Sequence, residues 1–223
     1  MSSESSSKIG RPRATGHTPQ GSVAEDILAA ARALFRRKGY AGTSTREIAS
    51  AVGLKQPSLF HYFPNKEAIF RAVMLGTVEP ILQFITAERS SKQPPDVALY
   101  RLVWFDTHHL CSHENAIGPS FAFAEISQKM PELWEKRDQI ISEYGRHLRR
   151  GARSGVFVVE NQKVTTRLVF ALGESTLIWY EKRGPTAARH MAHLVATLAL
   201  RSVLKDPGGL IEIHERASCS KQS

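Results

Sequence analysis

The chain has 223 residues, 42% hydrophobic and 23% charged, a size that predicts one or two domains and a composition that excludes a wholly disordered chain. Its formal net charge is +9, and residues 1–75 hold 11 Lys and Arg against 5 Asp and Glu. Such a local excess suits a polyanion-binding surface, because each neutralised phosphate releases condensed counterions; no uninterrupted run of roughly 18 apolar residues is present, so no membrane span is expected.

Residues 1–20, rich in Ser, Gly, Pro and Arg, predict a flexible basic arm that buries too little apolar surface to offset its ordering entropy. Its opening, SSESSSKIGRPR, lacks the apolar centre of a secretion signal, and the only cysteines, Cys111 and Cys219, lie far apart, so a cytoplasmic chain without disulfides is expected. Within the arm, KIGRPR resembles the core of an AT-hook, in which proline-held arginines, here Arg11 and Arg13, enter a narrow A·T-rich minor groove. Nonspecific attraction to phosphate is the alternative.

Ser22-Val23-Ala24-Glu25 has the capping-box pattern, and Ile27, Leu28, Ala31, Leu34 and Phe35 follow on one helical face, which predicts a helix to Lys38 ended by Gly39. A second box, Ser44-Thr45-Arg46-Glu47, opens a short helix with Ile48, Ala49 and Val52 inward and Gly53 at its close. Pro57 suits the first turn of a third helix, which Pro64 stops after Phe63. Asn65 then caps a long helix carrying Ile69, Phe70, Val73 and Met74, expected to kink near Pro80.

The composition changes past Ser90, where Pro94-Pro95 starts a helix with Leu99, Leu102, Val103, Trp104, Phe105 and Leu110. Further helices are expected over 121–128, 132–154, 164–183 and 186–204, with a short extended stretch over 156–159. The fold class is therefore all-α: a basic arm (1–20), a three-helix helix-turn-helix domain (21–75), a larger helical domain for ligand binding and dimerisation (76–205), and a polar tail (206–223) frayed at its end.

Leu59 and Phe63, spaced i,i+4, are expected to pack on Ile48 and Val52, leaving Gln56, Ser58, Phe60, His61 and Tyr62 outward. Gln pairs with adenine, Ser reaches bases or phosphates, and an exposed Phe meets a thymine methyl, whereas Lys55, Tyr62 and Lys66 suit phosphates. A merely solvated face is the bland alternative, at the cost of exposed aromatics without benefit.

The run GYAGTSTREIASAVGLKQPSLFHYFPNKEAIFRAV resembles the DNA-binding signature of the TetR family, a likeness that spans about residues 22–75. The resemblance implies a regulator, most often a repressor, working as a homodimer of two-domain, all-helical subunits on double-stranded operator DNA. It places Ser44, Thr45 and Arg46 at the operator backbone, the Gln56 to Tyr62 helix in the groove, and Lys66 as a phosphate-binding lysine. Pro57 departs from the small residues frequent there and removes an N–H from the phosphate side.

The resemblance also implies an inducer pocket in the second domain. Trp104, Phe105, Phe121, Phe123, Trp134 and Tyr144, near Asp106, His108 and Arg137, have the mixture a mostly apolar pocket needs, with ordinary core packing as the alternative. Val164, Leu168, Leu172, Leu177 and Ile178, then Met191, Leu194, Val195, Leu198 and Leu200, are expected to form a four-helix dimer interface that holds two recognition helices about 34–36 Å apart. The GRPR arm, the STREIASAVGLKQPSLFHYFPNKEAIF segment and TVEP are similar, within TetR, to the actinobacterial nitrogen-control repressors, whose release is attributed to a PII signalling protein. On that reading Arg146, Arg149, Arg150 and Arg153 form a docking face, with a small-molecule effector as the other possibility.

Other classes are a metal sensor or metal-dependent hydrolase using His109 and His113, spaced i,i+4, and a nonspecific nucleic-acid-binding protein. No nucleophile elbow, phosphate-cradling glycine loop or zincin motif is present, so neither enzyme activity, nor a cofactor, nor a bound metal is expected.

Overall fold

Two serines begin the first two helices by the same local chemistry. In the computed structural model, which describes residues 22–112, 130–180 and 185–219, the Ser22 hydroxyl accepts from the Glu25 N–H and the Glu25 carboxylate accepts from the Ser22 N–H at 2.7 Å, opening α1 (Val23–Lys38). Gly39 ends it at φ 73°, a backbone region that a side chain disfavours, with its N–H on the Phe35 carbonyl. Ser44 and Glu47 repeat the box at the start of α2 (Thr45–Ala51), and Gly53, at φ 68°, turns the chain towards α3 (Gln56–Phe60).

α3 is shorter than the expected run to Phe63. Tyr62 and Phe63 both donate their N–H to the Leu59 carbonyl, at 3.0 and 3.1 Å, so His61 and Tyr62 form a turn. The cause is Pro64, which disfavours helical backbone at Phe63 and has no N–H to continue the ladder.

Asn65 caps α4 (Lys66–Glu88) by accepting from the Ala68 N–H at 2.7 Å. The helix runs unbroken through Pro80, which leaves the Gly76 carbonyl without its usual donor. It also crosses the expected boundary at residues 75 and 76: Ile69, Phe70, Val73 and Met74 enter one core, Ile81 and Ile85 another. α4 is long and apolar enough to cross a bilayer, but its Ile69, Phe70, Val73, Met74, Ile81 and Ile85 are buried inside the protein.

The second core is arranged around α5 (Pro95–Ser112), which packs against α4, α6 (Pro131–Arg153), α7 (Gln162–Trp179), α8 (Pro185–Arg201) and α9 (Leu210–Cys219). The extended stretch expected over 156–159 exists as a single antiparallel bridge between Phe157 and Leu204, with Val158 N–H on Val203 O at 2.8 Å and Lys205 N–H on Val156 O at 3.0 Å. Among the described residues the fold is all-α apart from this bridge.

The polar tail expected over 206–223 is corrected. A 3-10 turn (Pro207–Gly209) leads into α9, whose Leu210, Ile213 and Ala217 are buried at helical spacing, while Arg216 donates to Asp96 at 2.9 Å and Arg101 to the Ala217 carbonyl at 3.3 Å. Intervening charged residues gave this amphipathic helix the composition of a tail. The helix expected to reach Arg183 ends at Trp179, and the next ends at Arg201 rather than Leu204. The arm and the helix expected over 121–128 lie outside the described residues.

Candidate nucleic-acid interface and effector cavity

The candidate reading head, formed by α1, α2, α3 and the first turns of α4, is held by a core in which Ile27, Ile48, Leu59, Ile69 and Val73 are fully buried, with the rings of Phe35, Tyr40 and Phe70 packed at 5.0–5.6 Å between centroids. Val52 and Phe63 join the same cluster half-buried, so the inward edge of α3 is the one its spacing implies. On the other side Arg46, Lys55 and His61 are exposed, together with Phe60 at 42% and Tyr62 at 47%. Two exposed aromatics beside three polar groups make a surface able to meet base edges and phosphates together.

Three expected contact residues have structural tasks that the sequence did not disclose. Gln56 is half-buried and donates its side-chain amide to Thr45 Oγ1 at 2.8 Å, which ties α3 to α2; the nearby Ser58 is also half-buried. Ser44 carries the α2 cap. The Lys66 ammonium donates to the carbonyls of Tyr40 and Thr43, both at 2.8 Å, and sits 4.2 Å from the Tyr40 ring centroid, so it closes the α1–α2 loop from beneath; burial lowers its pKa.

Glu47 is held at a pKa of about 2, first by its hydrogen bond from Lys38 and then by the Ser44 backbone and hydroxyl. Because the folded pKa is depressed, this stabilisation is complete above the ordinary carboxylate range and is lost as pH falls towards 2.

Below the reading head, α4, α5, α6 and α7 line a cavity of about 480 Å³, solvent at its mouth included. Its walls comprise Met74, Thr77, Val78 and Ile81 from α4, Asp106 and Leu110 from α5, Leu133, Arg137 and Ile140 from α6, and Phe170, Glu174 and Leu177 from α7. Arg137 grips Glu174 with two hydrogen bonds, at 3.1 and 2.7 Å, and its guanidinium lies 5.0 Å from the Phe170 ring centroid. Asp106 is buried and accepts from the Tyr144 hydroxyl at 2.6 Å. Burial pushes the Asp106 carboxyl up to about 7, against the Tyr144 hydrogen bond and helped by the nearby Glu174 charge; burial likewise raises Tyr144.

Of the residues expected to line a pocket, Arg137 does so, and Tyr144 stands one hydrogen bond behind the wall. Trp104, Phe105, His108 and Trp134 do not line this cavity. Trp104 and His108 stack on each other at 4.7 Å, Phe105 stacks on Phe84 at 4.2 Å, and Trp134 packs against the reading-head core. On α5 the wall is formed by Asp106 and Leu110, one turn apart, and at about 100° per residue Trp104, Phe105 and His108 fall on the far side of the helix from it. Phe121 and Phe123 lie outside the described residues. Glu174 and the α4 wall were missed; a lone carboxylate in the apolar stretch LVFALGESTLIW was the available signal.

On α7 and α8, Leu168 (63%), Ile178 (68%), Leu194 (47%) and Leu198 (55%) are exposed, and Leu172 and Met191 are half-buried. Val195 is corrected: at 8% exposure it belongs to the protomer's own core, as does Leu200. Arg146 is paired with Glu143 and Arg150 with the Gln93 carbonyl, while Arg149 and Arg153 are exposed. His109 is buried with its ring stacked on Phe105, and His113 lies outside the described residues; among those described, no group of three His, Cys, Asp or Glu is placed to hold a metal ion.

The sequence model of "Bacterial regulatory proteins, tetR family" matches residues 27–73, and that of "Tetracyclin repressor-like, C-terminal domain" matches residues 124–203, together more than half of the chain. The chain belongs to the TetR family. Members of this family are DNA-binding transcriptional regulators, and the metal-dependent hydrolase reading is not favoured. Among curated relatives, the HTH-type transcriptional regulator EthR of Mycolicibacterium smegmatis is 27% identical over 113 residues, 48% of this chain and 50% of that protein. The HTH-type transcriptional repressor AcnR of Corynebacterium efficiens is 38% identical over 60 residues, 27% of this chain and 31% of that protein. The chain thus matches half or less of the length of these relatives. Among solved structures, Mycobacterium smegmatis AmtR superposes with a TM-score of 0.67 at 26% identity, covering 84% of this chain and 97% of AmtR.

Proposed function

We propose that this TetR-family protein is a cytoplasmic, dimeric repressor that reads a pseudo-palindromic operator with α3 and its flanking turn and is released by an effector in the α4–α7 cavity. The observation that carries the DNA-reading half is the exposed set Arg46, Lys55, Phe60, His61 and Tyr62 on a helix pair whose opposite edge is buried. Ser44, Thr45, Gln56, Ser58 and Lys66 then act partly by holding that surface in shape, and by contact where their remaining donors reach DNA. The exposed leucines and Ile178 on α7 and α8 support the dimer, because apolar side chains in such number favour removal from water.

Release has a structural route. Met74 and Leu133 belong to the reading-head core and also line the cavity, and the ion pairs Arg71–Glu132 (3.0 Å) and Lys136–Glu79 (3.6 Å) join α4 to α6. An effector that moves these walls acts directly on the packing of the reading head, so operator and effector should weaken each other's binding.

Footprinting on the flanking genomic region locates the operator, and mobility shifts then test the surface. Arg46→Ala and Tyr62→Ala are each expected to weaken operator binding by roughly ten- to a hundredfold with unchanged helical circular dichroism; wild-type affinity in both would overturn the assignment. Deleting residues 1–14 is expected to reduce affinity more on A·T-rich flanks than on G·C-rich ones if Arg11 and Arg13 enter the minor groove, and equally on both if they only attract phosphate. A PII-type partner on the face carrying Arg149 and Arg153 is the competing effector. Loss of operator binding on adding a PII protein, abolished by Arg149→Glu, would favour it over a small molecule.

A further inference from the structure

We propose that α9 is an acid-released brace on α8, detached when the imidazoles of His193 and His214 take up protons. The His193 ring, from α8, meets the His214 ring, from α9, at 4.5 Å between centroids and 66° between planes. Tyr100, from α5, stands 5.0 Å from the His214 centroid, and its hydroxyl shares a hydrogen bond of 2.9 Å with His193 Nδ1. Thr197, one turn along α8 from His193, shares one of 3.2 Å with His214 Nε2. Both histidines are half-buried. His193 and Thr197 lie on the flank of α8 next to the exposed Leu194 and Leu198, so α9 steadies the helix whose outer face supports the dimer. The effect on assembly rests on that dimer; the release itself does not.

One proton has a place in this cluster. Nδ1 of a charged His193 donates to the Tyr100 oxygen, where that of a neutral His193 accepts from the Tyr100 hydroxyl. A second proton, on His214, sets two cations in ring contact, with the Arg201 charge of α8 acting on the same ring. Burial lowers the His214 pKa, and His193 and Arg201 lower it further. The other charged groups around the cluster are engaged or solvated. On α5, Asp96 accepts from Arg216 of α9 at 2.9 Å, and Arg101 donates to Glu88 of α4 at 2.7 Å and to the Ala217 carbonyl at 3.3 Å. Tyr100, which burial pushes up to about 12, stays neutral. His190 on α8 and Glu212 and Glu215 on α9 are exposed to water, which screens them. Because its folded pKa is lowered, His214 contributes stability that is present above the ordinary histidine value of about 6.5 and lost as pH falls from there through the lowered one. A helix of ten residues does not persist alone, so α9 unfolds as it detaches.

The test is hydrogen exchange of the full chain, resolved by segment, at about pH 5.5 and pH 8 with exchange times scaled for the intrinsic rate. A global melt would not serve, because His147 on α6, which burial lowers to about 4, makes the whole fold acid-sensitive as well. Protection of α9 is expected to fall at the lower pH by up to about tenfold for each proton the cluster excludes, while α1 keeps its own. His214→Gln, which cannot charge but still bonds Thr197, should leave α9 equally protected at both values, and His214→Lys should loosen it at both. His193→Gln, which removes the neighbouring charge, should blunt the acid response and keeps the proposal testable if the His214 variants misfold. Equal protection of wild-type α9 at both values, or an acid loss that persists in both glutamine variants, overturns the release. Light scattering on the same samples tests the brace: the wild-type dimer should weaken at the lower pH and the His214→Gln dimer should not. A dimer indifferent to α9 release overturns the brace and leaves the dimer standing, whereas a monomer at both values overturns the dimer itself.

Discussion

Replacing Leu198 with Glu is expected to give a folded monomer whose operator affinity is lower by about 10²–10⁴-fold, the gain that linking two binding modules ordinarily supplies. Leu198 is 55% exposed on α8, one turn from the exposed Leu194, and Leu168 and Ile178 stand out on α7, so a charge there disturbs little within the protomer. Across a dimer contact the same charge would be desolvated without a partner. Light scattering measures the mass and a mobility shift the affinity, and a dimer that binds operator normally would refute the interface. Val195 provides the contrast. It faces the protomer core three residues earlier on the same helix, so Val195→Ala should lower thermal stability and leave the dimer intact.

Gly151→Ala should be the more damaging change to the fold, although it adds a single methyl group. A Cβ at this position would lie 1.9 Å from Cδ2 of Phe157 and 2.3 Å from Cε2, well inside contact distance. The ring has little freedom to retreat, because the bridge to Val203 and Lys205 holds residues 156–158, and Val156 and Phe157 both donate to the Gly151 carbonyl. Overpacking of this kind costs about 1–3 kcal/mol, sometimes more, and each kcal/mol lowers Tm by roughly 2–4 °C in a chain of this size. Adding Phe157→Ala should return part of the loss. Calorimetric melts of both single variants and the double variant measure the coupling; additivity within about 0.5 kcal/mol would mean that the two residues do not collide.

These two positions differ in how far they could be read in advance. The apolar spacing along α7 and α8 is written in the sequence, but whether Val195 or Leu198 faces outward depends on how α8 rotates against α5, a packing choice made by distant residues. Nothing near Gly151 marks it as a close approach, because the atom that requires it belongs to a bridge closed by residues 203–205.

The same division runs through the functional site. Helix starts and stops were legible because capping is local: Ser22, Ser44 and Asn65 each act on a backbone three residues away, Gly39 and Gly53 relieve strain at their own φ, and Pro64 limits its neighbour. The inward edge of α3 followed from i,i+4 spacing, and with it the exposed aromatics. The inner task of Lys66 was not legible, because its acceptors lie 23 and 26 residues earlier. Nor was the docking of α9, since only contact with α5 gives Leu210, Ile213 and Ala217 something to bury against.

The sequence by itself therefore determined an all-helical chain of the TetR family and the outline of its reading head, because the signals involved act over one helical turn. Tertiary structure alone decided that Met74 and Leu133 serve both the reading-head core and the cavity, and that Arg137 closes on Glu174 while the buried Asp106 accepts from the Tyr144 hydroxyl. Those facts depend on which faces of α4, α5, α6 and α7 meet, and packing of the whole core sets that rotation.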